Sequence, residues 1–520
     1  MFMKHIKKPK LSLLILAFGF LVAACDNSLL EVDPINELEI QDENAVSTFN
    51  LTEISDFSNL RKGDFTGRFL VLCRSQNIPA NLLRGIEAAG GEIIKQYPEI
   101  GVLLVAPRSD RFVEDASRLN GVESITPDIV WTYTQEPEIM GEDMSISTEN
   151  ARRIVAGGEA FNYQTAIFDG WQWAPKAINA PSAWESGFTG EGIRVAVLDG
   201  GFHATHFDLA PNLDVSSSAS FVPGFNFNQD TGTFWHGTHV AGIVAASGFG
   251  VVGIAPKATL VGVKVLHNGS GAFSWILDGI IYAATPQSQG GAGAQIMNMS
   301  LGATLDYRNN WQDKQFRDAF TELQKIYDRV TRFAFNNGVT VIAAAGNGGT
   351  NFDVARELFT FPAQNQHVLA ISSTGPTGWV LGNTNFADLA YYSDHGKSLV
   401  DFAAPGGTVG LAIVQGNFNP CTLIGTSRSA TQTCAIFDQV FSTVRGNSNG
   451  NYNWAQGTSM AAPAAAGVVA LMMQAHGGNL TPAQVRTRLI QSSSDLGQPG
   501  KDPFYGHGFV NAARAVGINN

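Results

Sequence analysis

Three residues in this chain are of the types that, brought together, make a serine hydroxyl reactive. Asp199 ends the apolar run Val195-Ala196-Val197-Leu198. His236 opens the segment His236-Gly237-Thr238-His239-Val240-Ala241-Gly242. Ser459 lies in Gly457-Thr458-Ser459-Met460-Ala461-Ala462-Pro463, ahead of an apolar stretch rich in Ala and Gly. A serine hydroxyl stays protonated at neutral pH, so an imidazole must accept its proton. A buried carboxylate must in turn fix the imidazole tautomer and stabilise its cation. A fourth residue, Asn347 in Gly346-Asn347-Gly348, carries an amide that can donate to the oxyanion formed when the hydroxyl attacks a carbonyl.

From about Trp173 onward, short runs rich in Val, Ile and Ala (193–198, 260–265, 295–300, 339–345 and 368–372) alternate with helical stretches such as 274–284 and 313–336. In the last of these, Phe316, Phe320, Leu323, Tyr327 and Val330 fall on one stripe. The alternation predicts an α/β fold, a mostly parallel sheet flanked by helices. Ligands bind such sheets at the carboxyl ends of the strands, where Asp199 and Asn347 stand. Residues 68–133 have a separate rhythm: strand 68–72, helix 79–89, strands 92–94 and 102–106, helix 111–119 and strand 122–125. That β-α-β-β-α-β order predicts a small ferredoxin-like α+β domain.

The chain resembles the subtilisin-like serine proteases (subtilases, peptidase family S8), whose reactive residues come in the order Asp, His, Ser. The resemblance is carried by 195–199, 236–242, Gly253-Ile254-Ala255-Pro256, Asn298-Met299-Ser300-Leu301-Gly302, 343–347, Ala404-Pro405-Gly406-Gly407 and 457–463, with Ile178-Asn179-Ala180 before Trp184. Any one motif is weak, but this many in order are specific. The resemblance covers about 173–515 and implies a serine endopeptidase working through an acyl-enzyme. Asp199 would orient His236, His236 would act as base and then acid, and Ser459 would be the nucleophile. Asn347 and the Ser459 backbone N–H would form the oxyanion hole. Ser300, Leu301 and Gly302 would pair with substrate on one side of the primary specificity pocket, and Ala343, Ala344, Ala345 and Gly346 would line the other. Their small side chains predict a large apolar residue at P1, the position before the cut bond.

The resemblance also implies that the small domain is an inhibitor-type prodomain, so that the protein is made as a self-processed zymogen. The expected organisation is a signal peptide at 1–24, a flexible tether at 25–66, the prodomain at 67–134, a linker and processing region at 135–172 and the catalytic domain at 173–520. Three departures stand out. Gly200 replaces the usual Ser or Thr after the aspartate, and Ala464 replaces the His that commonly follows Pro463. The segment between His236 and Asn347 is also longer than in compact members. None removes a reacting group. The rival reading, a catalytically inactive lipid-anchored binding protein, would be expected to have lost one of the four. An esterase of the α/β-hydrolase type calls for its nucleophilic serine to come first in the chain, the reverse of the Asp, His, Ser order found here.

Lys4, Lys7, Lys8 and Lys10 precede the apolar run Leu11–Val22, the pattern of a secretory signal. The run ends in Val22-Ala23-Ala24-Cys25, similar to a bacterial lipobox, which implies acylation of Cys25 and export as a membrane lipoprotein. Cleavage between Tyr133 and Gln172 would then free the catalytic domain. With 33 basic against 45 acidic residues, the net charge of −12 argues against a nucleic-acid partner. The expected partners are protein or peptide substrates, the prodomain and a membrane. Cys421 and Cys434, thirteen apart within an insertion at about 408–439, are expected to form a disulfide in an exported protein, leaving Cys73 as a small buried hydrophobe. Asp208 matches a family position that often ligates calcium, so a structural calcium is an expectation although the chemistry needs no cofactor. His203 and His206 read as ordinary surface groups and His239 as packed. Gly425-Thr426-Ser427 reads as a loop coincidence.

Overall fold

Strands buried on both faces must be apolar throughout, and the Val-, Ile- and Ala-rich runs meet that condition by forming one seven-stranded parallel sheet. Its order is Phe402–Pro405, Val368–Thr374, Thr340–Ala344, Ile296–Met299, Arg194–Asp199, Thr259–Lys264 and Ala219–Ser220. The computed structural model describes residues 65–132, 141, 144–147, 165–229, 235–306, 314–425 and 428–518, all within one compact unit. The predicted α/β architecture, subtilisin-like in its parallel sheet and flanking helices, is observed.

Two cores lie on the two faces of this sheet. One is built around the helix Thr458–Ala475, in which every residue from Thr458 to Met473 is buried. A helix apolar all round is stable in water only at the centre of a core. The opposite core holds the helices Phe273–Ala284 and Lys314–Asn336, the latter through Phe320, Leu323, Tyr327 and Val330.

Residues 65–132 form an antiparallel sheet of Phe65–Cys73, Gly91–Tyr97, Val102–Pro107 and Val122–Thr132, in the order second, third, first, fourth, with helices Ala80–Ala88 and Phe112–Ser117. The fourth strand continues into the larger domain. Val130, Trp131 and Thr132 pair antiparallel with Ala272, Gly271 and Ser270. Charges reinforce the contact: Lys95 meets Asp278 at 2.7 Å, and Arg329 meets Glu123 at 2.9 Å and the Cys73 carbonyl at 2.9 Å. Asp128, wholly buried, accepts from the Ser274 N–H at 2.9 Å and hydroxyl at 2.7 Å in the first turn of the helix Phe273–Ala284. Cys73 is buried and unpaired, and burial raises its thiol to about 11.

The stretch expected to be a linker differs from that expectation in part. Met144–Ser145 pairs with the strand Asn451–Ala455, and Ile146, Phe168 and Trp171 are buried in the larger domain. Trp171 stacks on Trp454 with ring centroids 5.6 Å apart. Large aromatic rings placed far apart in sequence supply the apolar area that holds these segments.

The insertion folds as a short helix, Gly410–Ile413, and a hairpin of Pro420–Ile424 with Ser429–Thr433, crossed by the bond between Cys421 and Cys434. Leu423, Ala430, Ile436 and Phe437 pack on the same aromatic cluster.

Candidate active site

The four residues singled out by type all stand at ends of elements. Asp199 is the last residue of the strand Arg194–Asp199, and His236 is the first of the helix His236–Ala245. Asn347 follows the strand Thr340–Ala344, and Ser459 is the second residue of the helix Thr458–Ala475. A parallel sheet delivers all its strand ends to one edge, which is why residues so distant in sequence share one cleft.

Asp199 and His236 are buried. The imidazole Nδ1 lies 3.0 and 2.9 Å from the two carboxylate oxygens of Asp199, so proton transfer at this ring uses Nε2. Gly237 makes the approach possible, since a Cβ there would stand 2.4 Å from the Gly201 carbonyl oxygen. At Gly200, where a hydroxyl is missing, the backbone N–H donates to Asp199 Oδ1 at 2.7 Å. The buried Lys264 ammonium donates to the carbonyls of Gly200 and, at 2.7 Å, of Leu266, pinning the turn.

Ser459 donates its hydroxyl to the Ser300 carbonyl at 3.3 Å, and Ser300 donates its own to the Ser459 carbonyl at 2.7 Å. Asn347 is oriented by Thr458, whose N–H and hydroxyl both donate to its Oδ1, at 2.9 and 2.8 Å. Its Nδ2 is therefore turned away from Thr458. The Ser459 N–H lies in the first helical turn, where N–H groups have no intrahelical acceptor. Two donors, one nucleophile and one carboxylate-held imidazole are the parts needed for acyl transfer.

The cleft is a cavity of about 400 Å³ that reaches Ser459 and Asn347. Leu301, Gly302, Ala344 and Gly346 line it, whereas Ser300, Ala343 and Ala345 are buried behind its walls. Strand side chains alternate between faces, so a run of four small residues gives the pocket only every second one. Trp131 and Thr132 enter the same cavity from the small domain. Sequence reasoning missed the polar part of the lining, namely Thr304, Thr350, Thr360 and Asp394.

The donor set around Asp208 does not fit calcium. Its Oδ1 accepts from the Phe249 N–H at 2.7 Å and the Ser247 hydroxyl at 3.3 Å. Its Oδ2 accepts from the N–H groups of Gly250 at 2.8 Å and Val251 at 3.1 Å, and from the Tyr452 hydroxyl at 2.7 Å. Calcium needs six to eight oxygen acceptors, and here the carboxylate is enclosed by donors. Among the described residues no cluster of three or more His, Cys, Asp or Glu offers another metal site.

His206 corrects the surface reading. It is fully buried, with Nε2 2.9 Å from the Asn451 carbonyl and Nδ1 accepting from the Asp208 N–H at 3.1 Å, and burial lowers its pKa to about 3. His203 is half-buried, and burial lowers its pKa also. His239 is packed in the core against the carbonyls of Val440 and Asn453. Cys25, the tether to position 64 and the pair Thr426-Ser427 lie outside the described residues.

Comparisons with known proteins agree with this geometry. The model of the subtilase family matches residues 190–508, more than half of the chain. Subtilisin E of Bacillus subtilis (strain 168) is 32% identical over 342 residues, 65% of this chain and 69% of that protein. Subtilisin of Bacillus pumilus is 32% identical over 343 residues, 65% of this chain and 96% of its own length. In fold, the chain is similar to the epidermin leader peptide processing serine protease of Staphylococcus aureus, with a TM-score of 0.65 at 19% identity over 87% of this chain and 98% of that one. The chain belongs to the subtilase family of serine proteases and is a subtilisin-like serine endopeptidase.

Proposed function

We propose that Ser459 is the nucleophile of this endopeptidase, with His236 as its base and Asp199 as the group that orients His236. The observation that carries the assignment is the buried Asp199–His236 contact of 2.9 Å, made from a helix that packs against the Ser459 helix. In the reaction the Ser459 hydroxyl turns from the Ser300 carbonyl to His236 Nε2 and gives up its proton as Oγ attacks the substrate carbonyl. Asn347 Nδ2 and the Ser459 N–H receive the oxyanion, and His236 then protonates the leaving amine. Water repeats the sequence on the acyl-enzyme. A fluorophosphonate probe tests this: labelling should be complete in the processed protein and absent in Ser459→Ala.

Residues 65–132 act in the same reading as a ferredoxin-like, inhibitor-type prodomain of a self-processed zymogen. Three observations support it. The strand order matches the split β-α-β motif, Trp131 and Thr132 reach the cavity that holds Ser459, and the fold likeness to a processing protease extends over 87% of the chain. Because Met144 and Ser145 already pair within the larger domain, the maturation cut falls between Tyr133 and Asp143. Expression of the full chain tests this: wild type should yield a new N-terminus in that window, and Ser459→Ala should stay uncut. Before that cut, an acylated Cys25 would hold the protein on a membrane surface; incorporation of labelled palmitate that vanishes in Cys25→Ala is the expected result.

A further inference from the structure

We propose that Asp394 sets the primary specificity of this protease, its carboxylate receiving the cationic side chain of a lysine or arginine at P1. The inference rests on the reading of the Ser459 cleft as the substrate site and replaces the expectation of an apolar P1 residue.

Asp394 is 4% exposed yet lines the cavity that holds Ser459 and Asn347. Its Oδ1 accepts from the N–H groups of Gly348 at 3.0 Å and Thr350 at 2.8 Å, with the Thr350 hydroxyl beside the carboxyl. Among the described residues no backbone N–H donates to Oδ2. That oxygen lies against Gly346, one residue before Asn347, so closely that a Cβ at Gly346 would stand 2.1 Å from it. The Gly346 φ of 120° independently disfavours a side chain there. Glycine thus keeps the pocket wall bare where the carboxylate oxygen reaches it. Among the described residues no lysine or arginine pairs with Asp394; the charged neighbour is His395.

A carboxylate removed from water without a cation is costly, and burial raises the Asp394 pKa to about 6. A substrate ammonium or guanidinium would supply the missing partner, and Thr304, Thr350 and Thr360 add polar lining that suits a charged head better than a branched apolar one. Cleavage of the enzyme's own chain does not report this preference. A docked segment is presented at an effective concentration on the order of 10⁵ M or more, which outweighs a poor P1 residue.

The test uses the self-processed enzyme and peptides that differ only at P1 (Arg, Lys, Leu, Phe, Gln). Wild type is expected to favour Arg and Lys over Leu and Phe by about thirtyfold or more in kcat/KM. In Asp394→Asn, which keeps an acceptor for the two N–H groups, the ratio of basic to apolar substrates is expected to approach one. A wild-type preference for Leu or Phe, or an unchanged ratio in Asp394→Asn, overturns the proposal. Should that variant fail to fold, the wild-type Arg-to-Leu ratio serves instead. It should fall as pH drops through about 6, where Asp394 takes up a proton, and a flat ratio overturns the proposal. Absence of all peptide cleavage together with absence of Ser459 labelling would count against the protease assignment itself.

Discussion

The Oδ1 atom of Asn347 accepts two hydrogen bonds from one residue, Thr458, through its N–H at 2.9 Å and its hydroxyl at 2.8 Å. This pair joins the end of one strand to the first turn of the central helix and decides which end of the amide faces the cleft. Replacing Asn347 by Leu should lower kcat by about 10²–10³-fold with little change in KM, a size measured for the matching donor of subtilisin and carried over here. Thr458→Val removes the hydroxyl bond to Asn347 and the acceptor of the Gly346 N–H, and should cost about tenfold, since the Thr458 N–H still holds the amide. Steady-state kinetics on one peptide checks both, and equal losses in the two variants would contradict the orienting role.

Asp208 is a clasp built from donors rather than a cation site. A chelator such as EDTA is expected to leave the thermal midpoint and activity of the processed enzyme unchanged. Asp208→Ala strands three backbone N–H groups and two hydroxyls, and should destabilise by about 3–5 kcal/mol. Tyr452→Phe loses one of these bonds and should cost about 1–2 kcal/mol. A fall in melting temperature on chelation that added calcium reverses would refute the donor reading.

Asp128 should make docking of the 65–132 domain sensitive to pH. Burial raises its carboxyl from 3.8 to about 6, partly offset by Ser274, Thr66 and the Arg68 charge. The sign follows from linkage: a carboxyl raised in the docked state favours docking at low pH, and this advantage is lost as pH climbs from about 4 through 6. Between pH 4 and 7 the term weakens docking by at most about a hundredfold. Retention of the cleaved domain on Ser459-blocked enzyme, measured by gel filtration across that range, should decline, and Asp128→Asn should flatten the decline.

The Cys421–Cys434 bond closes a loop of thirteen residues in a hairpin that contributes none of the residues described as lining the cleft. Replacing both cysteines by serine is expected to lower stability by about 3 kcal/mol or less while peptide kcat/KM stays within twofold. A large loss of activity at unchanged stability would show that the insertion reaches substrate.

Local pattern carried much of this molecule. Each residue proposed to react is announced by its own neighbours: an apolar run before Asp199, glycine-spaced entries to the helices of His236 and Ser459, and Gly346 before Asn347. The central strands are apolar over their whole length because both faces of a parallel sheet are covered, so five of the seven are legible without coordinates, whereas Ala219–Ser220, Phe402–Pro405 and the order in the sheet are not.

What tertiary structure alone decided are encounters between segments that carry no mark of each other. Asp394 stands in an unremarkable polar stretch and becomes part of the Ser459 pocket only because the turn after the strand Val368–Thr374 brings it against Gly346. His206 and Asp208 look like loop residues until Tyr452 and the 247–251 turn close over them. Residues 144–147 and 165–171 fall in a region that reads as a linker because it opens on a polar stretch with Pro137 and several acids, yet rings from Phe441, Tyr452 and Trp454 bury Phe168 and Trp171. Periodicity reports which face of an element is apolar; it does not report which distant side chain will cover that face, and here the lining of the Ser459 cavity, the donor shell of Asp208 and the burial of Phe168 and Trp171 all turn on such pairings.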